Sequence, residues 1–263
     1  MSWVNNKIDK PETAIQLANK AFELNSDDAS SLINLSNSYR MLGDYKTANE
    51  YNFKHLSIYP NDCRQLNNIG FCFMRLGEQE KALSYFDKSI SCDNTYSYPN
   101  HNKAQLYIKK KQYDKAVEEL NMAKEKGHNK AVVHYDLGIC YSGLNENNKA
   151  EESFLISIMN DSLSSARYDL AVLYLKSNKA SEAVVHFNYY NTIIDSTNAW
   201  TYYDCASAYA VLEDLEGFQR NMEQVIKLGS PGTRESIKKE MEESSFLSSI
   251  RSSEVYKEIL NKL

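Results

Sequence analysis

Apolar residues along this chain recur at spacings of three and four, which is the period of a helix with one buried face. Within residues 63–94, Leu66 and Phe73 lie on one such face, and Ala82 lies on the face of a second helical segment. Gly77 stands between the two segments, where a glycine commonly ends a helix. The pattern therefore predicts two short helices joined by a tight turn. Because such a hairpin cannot bury its faces alone, we expect it to pack against further copies.

The same pattern returns in steps of about 34 residues, which is typical of a stacked array of helix pairs. Its copies open at Ala29, Cys63, Ser97, Ala131, Ser164 and Ala199. Every copy has a small residue where the two helices should touch, namely Ser36, Gly70, Ala104, Gly138, Ala171 and Ala206. An aromatic residue follows each, namely Tyr39, Phe73, Tyr107, Tyr141, Tyr174 and Tyr209. The second helix carries alanine at one site, with Phe218 in the last copy, as Ala48, Ala82, Ala116, Ala150, Ala183 and Phe218.

This order of small residue, aromatic residue, turn and alanine resembles the tetratricopeptide repeat family over residues 9–231. The resemblance implies an all-α fold, a right-handed superhelical solenoid of antiparallel helix pairs. We expect an incomplete N-terminal repeat over residues 1–28, six tandem repeats over 29–232, and C-terminal capping helices over 233–263. The cap should cover the open apolar side of the last repeat.

The start of the chain leaves two readings open. Residues 9–24, with Ala14 at the alanine site, match the second helix of a repeat, and only residues 1–8 remain for its first helix. A first helix needs about a dozen residues. The repeat is therefore either naturally shortened or part of a longer repeat protein.

Composition supports a mostly helical, water-soluble chain, with 9 Gly, 4 Pro and 25% charged residues. No apolar run approaches the roughly 20 residues that a membrane-spanning helix needs, and the N-terminus lacks a signal peptide's apolar segment. The five cysteines contain no Cys-x-x-Cys pair, and we interpret all of them as buried free thiols in a reducing compartment. These observations predict a cytoplasmic protein. The cysteines are Cys63, Cys72, Cys92, Cys140 and Cys205.

Function is expected on the side of the first helices that the core does not use, which in the family lines a concave groove. At one matching site every copy has an amide or a carboxylate: Asn34, Asn68, Asn102, Asp136, Asp169 and Asp204. An amide can pair with both the C=O and the N–H of a peptide unit, and the family uses such an asparagine ladder to hold extended peptides. A carboxylate only accepts hydrogen bonds. Arg64, Phe71 and Arg75 are the helical neighbours of Asn68 on this side, and His101 lies near it.

The last three copies place a tyrosine directly before the carboxylate, as Tyr135, Tyr168 and Tyr203. A ring face beside a negative charge suits a cation, so the ligand is expected to be basic there. The alternative is that these are ordinary polar residues on a solvated helix face.

No phosphate-binding glycine loop, nucleophile elbow, metal-ligand spacing or paired carboxylate site appears, so we expect neither an enzyme nor a cofactor or metal. A net charge of −5 argues against nucleic acid as a partner. Two hypotheses remain. The first is a module that binds an extended, partly basic peptide of a partner protein in its groove. The second is a scaffold that self-associates through its incomplete first repeat, with Leu17 and Ala21 at the exposed edge.

Overall fold

The computed structural model describes residues 15–16, 19–20, 28–161 and 165–263. The chain divides into two compact units, one ending at Asn129 and the other beginning at Lys130. Most of the described residues lie in helices, and none of them belongs to a β-strand. This confirms the all-α prediction.

The first unit contains three helix pairs. Their bounds are α1 Ala29–Met41, α2 Tyr45–Ile58, α3 Cys63–Arg75, α4 Gln79–Cys92, α5 Tyr98–Lys109 and α6 Tyr113–Glu125. Helix α1 begins at the residue where the repeat pattern places the opening of a copy, and so does α3. Aspartates cap both starts, since the Asp28 carboxylate accepts from the Ser31 amide and Asp62 accepts from the amides of Arg64 and Gln65.

The second unit contains three further pairs and two closing helices. Their bounds are α7 Lys130–Gly143, α8 Asn147–Asn160, α9 Ala166–Lys176, α10 Ala180–Tyr189, α11 Ala199–Val211, α12 Leu215–Leu228, α13 Pro231–Glu243 and α14 Glu254–Lys262. A π-helical turn, Tyr190–Ile194, continues α10, and a short 3-10 helix, Ser245–Leu247, follows α13. The opening predicted at Ser164 lies outside the described residues.

The two helices of each pair pack on one another, and neighbouring pairs stack within their unit. Helix α2 contacts α3 and α4 contacts α5 in the first unit, while α8 contacts α9 and α10 contacts α11 in the second. The first helices of neighbouring pairs also touch, because α3 contacts α5 and α9 contacts both α7 and α11. We call the side formed by the first helices of a unit its first-helix face.

Small residues allow the close approach within a pair. A Cβ added at Gly70 would lie 2.7 Å from the ring of Phe86, and one added at Gly138 would lie 2.5 Å from the ring of Phe154. Both rings are fully or almost fully buried. In the last pair Phe218 occupies the alanine site and is fully buried, and a Cβ at the adjacent Gly217 would meet the Tyr209 ring at 2.2 Å. The predicted register of small residues matches these contacts.

The turn inside every pair uses one residue with positive φ. The six positions are Gly43 (80°), Gly77 (83°), Lys111 (56°), Asn145 (61°), Asn178 (59°) and Glu213 (58°). In the left-handed region a side chain crowds the backbone, and glycine or asparagine is favoured there. Lys111 and Glu213 are therefore the two strained turns of the set.

The closing segment packs on the last pair. Helix α13 and the 3-10 helix contact α11, and α14 contacts α12. Its buried residues join the apolar core of the second unit, and the Tyr256 ring stacks on Phe218 with centroids 6.4 Å apart. The buried members of this segment are Ile237, Met241, Leu247, Ile250, Tyr256 and Ile259.

The cysteine prediction is wrong at two positions. Cys63, the first residue of α3, and Cys92, the last residue of α4, form a disulfide with Cα atoms 5.5 Å apart. Because the two helices of the hairpin are antiparallel, its first and last residues lie close together. The lack of a Cys-x-x-Cys pair in the sequence therefore did not exclude a disulfide. Cys72, Cys140 and Cys205 are buried free thiols, as expected. The argument for a reducing compartment therefore loses its basis at this pair.

Several predictions concern residues outside the described ranges. These are the first helix of the incomplete N-terminal repeat, over residues 1–8, the register of Ala14 and the edge positions Leu17 and Ala21. Among the described helices, none is both long and apolar enough to cross a membrane.

Candidate functional site

The residues of the predicted ladder lie on the first-helix face of each unit, and they differ in how far they are exposed. Asn34, Asn102 and Asp136 are nearly buried, with exposed fractions of 7%, 8% and 6%. Asn68, Asp169 and Asp204 are half-buried. A ligand on this face therefore has its best access to Asn68 in the first unit and to Asp169 and Asp204 in the second.

In the first unit, amides connect neighbouring first helices. The Asn102 side-chain amide donates to the Asn67 side-chain oxygen at 2.9 Å. Asn67 comes directly before the ladder residue Asn68. Its side chain therefore bonds to Asn102, the ladder residue of the next helix pair. Asn68 itself uses one amide N–H on Gln65 at 3.1 Å. Its side-chain carbonyl accepts from no residue in the described part of the chain, which leaves an acceptor and a second donor for a ligand.

Aromatic rings and arginines contact one another near the end of α3, where Phe71 and Arg75 share the helix side of Asn68. The Arg75 guanidinium lies over the Tyr45 ring at 5.2 Å, and the Arg40 guanidinium lies over the Phe71 ring at 5.4 Å. The two rings meet edge to face, with centroids 6.3 Å apart. Sequence reasoning included Arg75 and Phe71 but missed Arg40 and Tyr45, because these lie in the preceding helix pair.

His101 has a different environment from the one expected of a groove residue. It is 8% exposed, and its ring stacks on His128 with centroids 4.5 Å apart. Ser97 and the His128 Nδ1 atom are 3.0 Å apart, within hydrogen-bonding distance. This pair of imidazoles contributes to packing at the start of α5.

In the second unit, tyrosines and carboxylates repeat the connection seen between Asn67 and Asn102. The Tyr168 hydroxyl donates to an Asp204 carboxylate oxygen at 2.6 Å. The Tyr135 hydroxyl donates to Asp169 in the same way. Tyr135 and Tyr168 therefore each bond to the carboxylate of the following pair, not to the aspartate beside them in sequence. Tyr203, the third of the series, is buried and only 4% exposed.

Burial dominates the proton affinities of this second face. It raises the pKa of Asp204 to about 6, although the hydrogen bond from Tyr168 and the charge of Lys176 both act to lower it. The pKa of Asp169 is raised for the same reason and opposed by Tyr135 and Lys176. Lys176 is exposed at the end of α9 and was not foreseen as part of this site. A cation placed near the two carboxylates would stabilise their ionised forms.

Comparison with known families identifies the class of protein. A family model described as tetratricopeptide repeat matches residues 66–96, and another with the same description matches residues 85–118. Together with the paired helices and their small-residue contacts, these matches show that the chain is a tetratricopeptide repeat protein.

One curated relative is anaphase-promoting complex subunit 3 of Schizosaccharomyces pombe, which is 26% identical over 153 residues. The alignment covers 58% of this chain and 23% of that protein. The chain therefore spans less than a quarter of the length of the relative it matches.

Solved structures share the fold at low sequence identity. YrrB, described as a TPR protein with an unusual peptide-binding site, has a TM-score of 0.58 and 19% identity, with 68% of this chain and 92% of that chain covered. The pilF protein of Pseudomonas aeruginosa has a TM-score of 0.67 and 19% identity over 79% and 96% of the two chains. The Cut9–Hcn1 structure has a TM-score of 0.70 and 12% identity over 98% and 48%. At these identities the likeness shows the fold alone, and the fold suggests protein–protein interaction or scaffolding.

Proposed function

We propose that this chain is a non-enzymatic module that binds an extended segment of a partner protein in a concave groove, formed by the first-helix faces. The observation that carries the proposal is the regular recurrence of one hydrogen-bonding side chain per pair on helices that touch one another. A peptide in an extended conformation presents its backbone N–H and C=O groups at regular intervals, so a row of such side chains can hold it independently of its sequence.

The two units would treat the ligand differently. In the first unit Asn68 retains an acceptor and a donor, which suits a peptide backbone. In the second unit the half-buried carboxylates Asp169 and Asp204 lie beside tyrosine rings, and Lys176 already acts on both. A lysine or arginine of the ligand would add a second positive charge there and favour ionised carboxylates. We therefore propose that the segment bound by the second unit is basic.

The proposal also concerns the partners and cofactors of the protein. We infer that it works with a protein or peptide partner, without a cofactor, and binds neither nucleic acid nor membrane. Self-association as a scaffold is the alternative; it rests on the incomplete first repeat, for which the described residues offer no support.

The test is a peptide-library binding screen with the wild type, Asn68→Ala and Asp169→Asn. Asn68→Ala should weaken all ligands alike, because it removes a backbone hydrogen bond worth about 0.5–1.5 kcal/mol. Asp169→Asn should weaken basic ligands selectively and flatten their salt dependence, because the amide keeps the shape and removes the charge.

An exposed carboxylate in the first unit, changed in Glu118→Gln, serves as the control for a loss of one negative charge. Hits without any basic preference, or hits indifferent to both site variants, would refute this account of the groove. Sedimentation at increasing protein concentration tests the scaffold alternative, since a scaffold of this kind must associate with itself.

A further inference from the structure

Three arginines in the first unit have no carboxylate partner. Arg40, Arg64 and Arg75 make no ion pair with any described residue, and Arg64 and Arg75 are exposed. Lys103 of the same unit, in contrast, is paired with Asp87 at 3.0 Å. The guanidinium groups are therefore available to an acidic ligand.

The carboxylates nearest to these arginines in sequence are committed elsewhere. Asp44 accepts the amide of Thr47 and caps α2. Asp62 caps α3 and also lies 3.0 Å from the Nε2 atom of His55. Glu78 forms an ion pair with Lys81. Among the described residues, no acidic side chain neutralises the three guanidinium groups.

The rings hold two of the guanidinium groups in place. Arg40 lies over Phe71 at 5.4 Å, Phe71 meets Tyr45 edge to face at 6.3 Å, and Arg75 lies over Tyr45 at 5.2 Å. We call this row of four side chains the arginine–aromatic stack. The four residues come from α1, α2 and α3, so the stack joins two neighbouring helix pairs. A guanidinium held over a ring loses less rotational freedom on binding and keeps its N–H donors for a planar anion.

Arg40 provides the most constrained donor. Its Nη2 atom is 3.4 Å from the Asn37 side-chain oxygen, and its Nε atom is buried without a hydrogen-bond partner among the described residues. A carboxylate of the ligand would give this guanidinium a charged acceptor, which the described residues do not provide. Arg64 belongs to the same region, because its charge and that of Arg40 both oppose the rise that burial causes in the pKa of Tyr96.

We propose that this arginine–aromatic stack binds the acidic side chains of a partner protein's segment. The inference rests on the proposed function, because it assumes that a peptide occupies the first-helix face, and it assigns the opposite charge preference to the first unit from that of the second. The ligand is an extended stretch rich in glutamate or aspartate, whose carboxylates pair with Arg75 and Arg40 while Asn68 holds its backbone.

An anisotropy titration with labelled ligands tests the proposal on the full chain. The ligands are three peptides of equal length that alternate serine with glutamate, glutamine or lysine, and an oligouridylate of the same charge as the glutamate peptide. The glutamate peptide should bind more tightly than the glutamine peptide, and the difference should shrink as salt rises. Arg75→Gln and Arg40→Gln should each weaken the glutamate peptide about three- to tenfold.

Lys88→Gln is the matched control, because Lys88 is an exposed cation over the Tyr85 ring at 4.5 Å in the same unit. It changes the net charge equally and should leave the glutamate peptide's affinity unchanged. A melting curve for Arg40→Gln separates lost binding from lost folding, and Arg75→Gln, which alters an exposed side chain, gives the result independently.

Equal affinity for the glutamate and glutamine peptides would overturn the inference, as would equal effects of Arg75→Gln and Lys88→Gln. Tighter binding of the oligouridylate than of the glutamate peptide would assign the arginines to nucleic acid instead. Failure of the proposed function looks different. If Asn68→Ala leaves the glutamine peptide's affinity intact while Arg75→Gln still weakens the glutamate peptide, the ladder is wrong and the acidic site stands.

Discussion

The two units build the same inter-pair connection from different chemistry. In the first unit an amide of one pair bonds to an amide of the preceding pair, through Asn67 and Asn102. In the second unit a tyrosine hydroxyl bonds to the carboxylate of the following pair, as Tyr168 does to Asp204. The connection between neighbouring pairs is thus made by neutral side chains in one unit and by a carboxylate in the other.

The units also differ in what holds them together. The first has a disulfide across the ends of one hairpin, while the second has closing helices whose apolar residues extend its core. Both units bury apolar side chains, and the first also contains a covalent bond that can be reduced. Reduction should therefore affect the first unit more than the second.

Reduction of the disulfide should produce the largest difference between the units. The bond joins residues separated by 29 positions, and closing a loop of that size stabilises a fold by about 2–4 kcal/mol. We expect dithiothreitol, or the double substitution Cys63→Ser and Cys92→Ser, to lower the stability of the first unit. Hydrogen exchange can follow both units in one sample. Equal losses of protection in α3 and α9 would show that the disulfide does not stabilise the first unit in particular.

Replacement of Asp204 should stabilise the second unit at neutral pH. The folded pKa of about 6 lies above the ordinary value of 3.8, so the folded state binds more protons and loses stability as the pH rises between these values. That difference corresponds to at most about 3 kcal/mol. Asp204→Asn keeps an acceptor for Tyr168 without the buried charge. Urea unfolding should show a gain above pH 6 that disappears below pH 4.

A variant without any gain at neutral pH would show that Asp204 is better solvated than its burial indicates. Glu118→Gln, on the exposed surface of the first unit, is the control and should change little at either pH.

Enlarging the helix contacts should destabilise each unit by a similar amount. Gly70→Leu and Gly138→Leu place a side chain where even a Cβ would meet a phenylalanine ring, and overpacking of this kind costs about 1–3 kcal/mol or more. Gly232→Leu is the control, since a Cβ there meets nothing within 4 Å. Circular dichroism melts report the loss. An unchanged melting temperature for Gly138→Leu would mean that the repeat register is wrong.

The smallest effects concern the strained turns. Lys111→Gly in the first unit and Glu213→Gly in the second should each stabilise the fold by about 0.5–1 kcal/mol, because glycine adopts positive φ without crowding. Lys109→Gly, at the end of helix α5, should instead destabilise it. Differential scanning calorimetry can resolve the shifts. Two glycine variants less stable than the wild type would place the strain elsewhere.

Much of the fold follows from periodicity. The small residue at Gly70, the aromatic residue at Phe73 and the alanine at Ala82 depend on contacts inside one hairpin, and a single repeat is enough to recognise them. The positive φ of Lys111 was not foreseeable from its residue type, but its place in the repeat matches that of Gly43 and Gly77. Alignment of the turns, more than propensity, would have found it.

The site was less predictable because its contacts cross from one pair to another. Tyr168 and Asp169 are neighbours in sequence, yet Tyr168 bonds to Asp204, which is one repeat further along. The disulfide was missed although Cys63 and Cys92 stand at the two ends of a single predicted hairpin. Asking what lies one repeat away would have identified the contact between Tyr168 and Asp204. Asking what lies at the other end of the same hairpin would have identified the disulfide.

The bond between Cys63 and Cys92 also has a mechanical consequence. It ties the first residue of α3 to the last residue of α4, so an oxidised chain stretched from its ends carries the force through two sulfur atoms and leaves this hairpin slack. The enclosed 29 residue steps would add roughly 100 Å to the extended length once the bond is reduced. In a pulling experiment, the redox state of this one hairpin would therefore change the extended length of the chain by that amount.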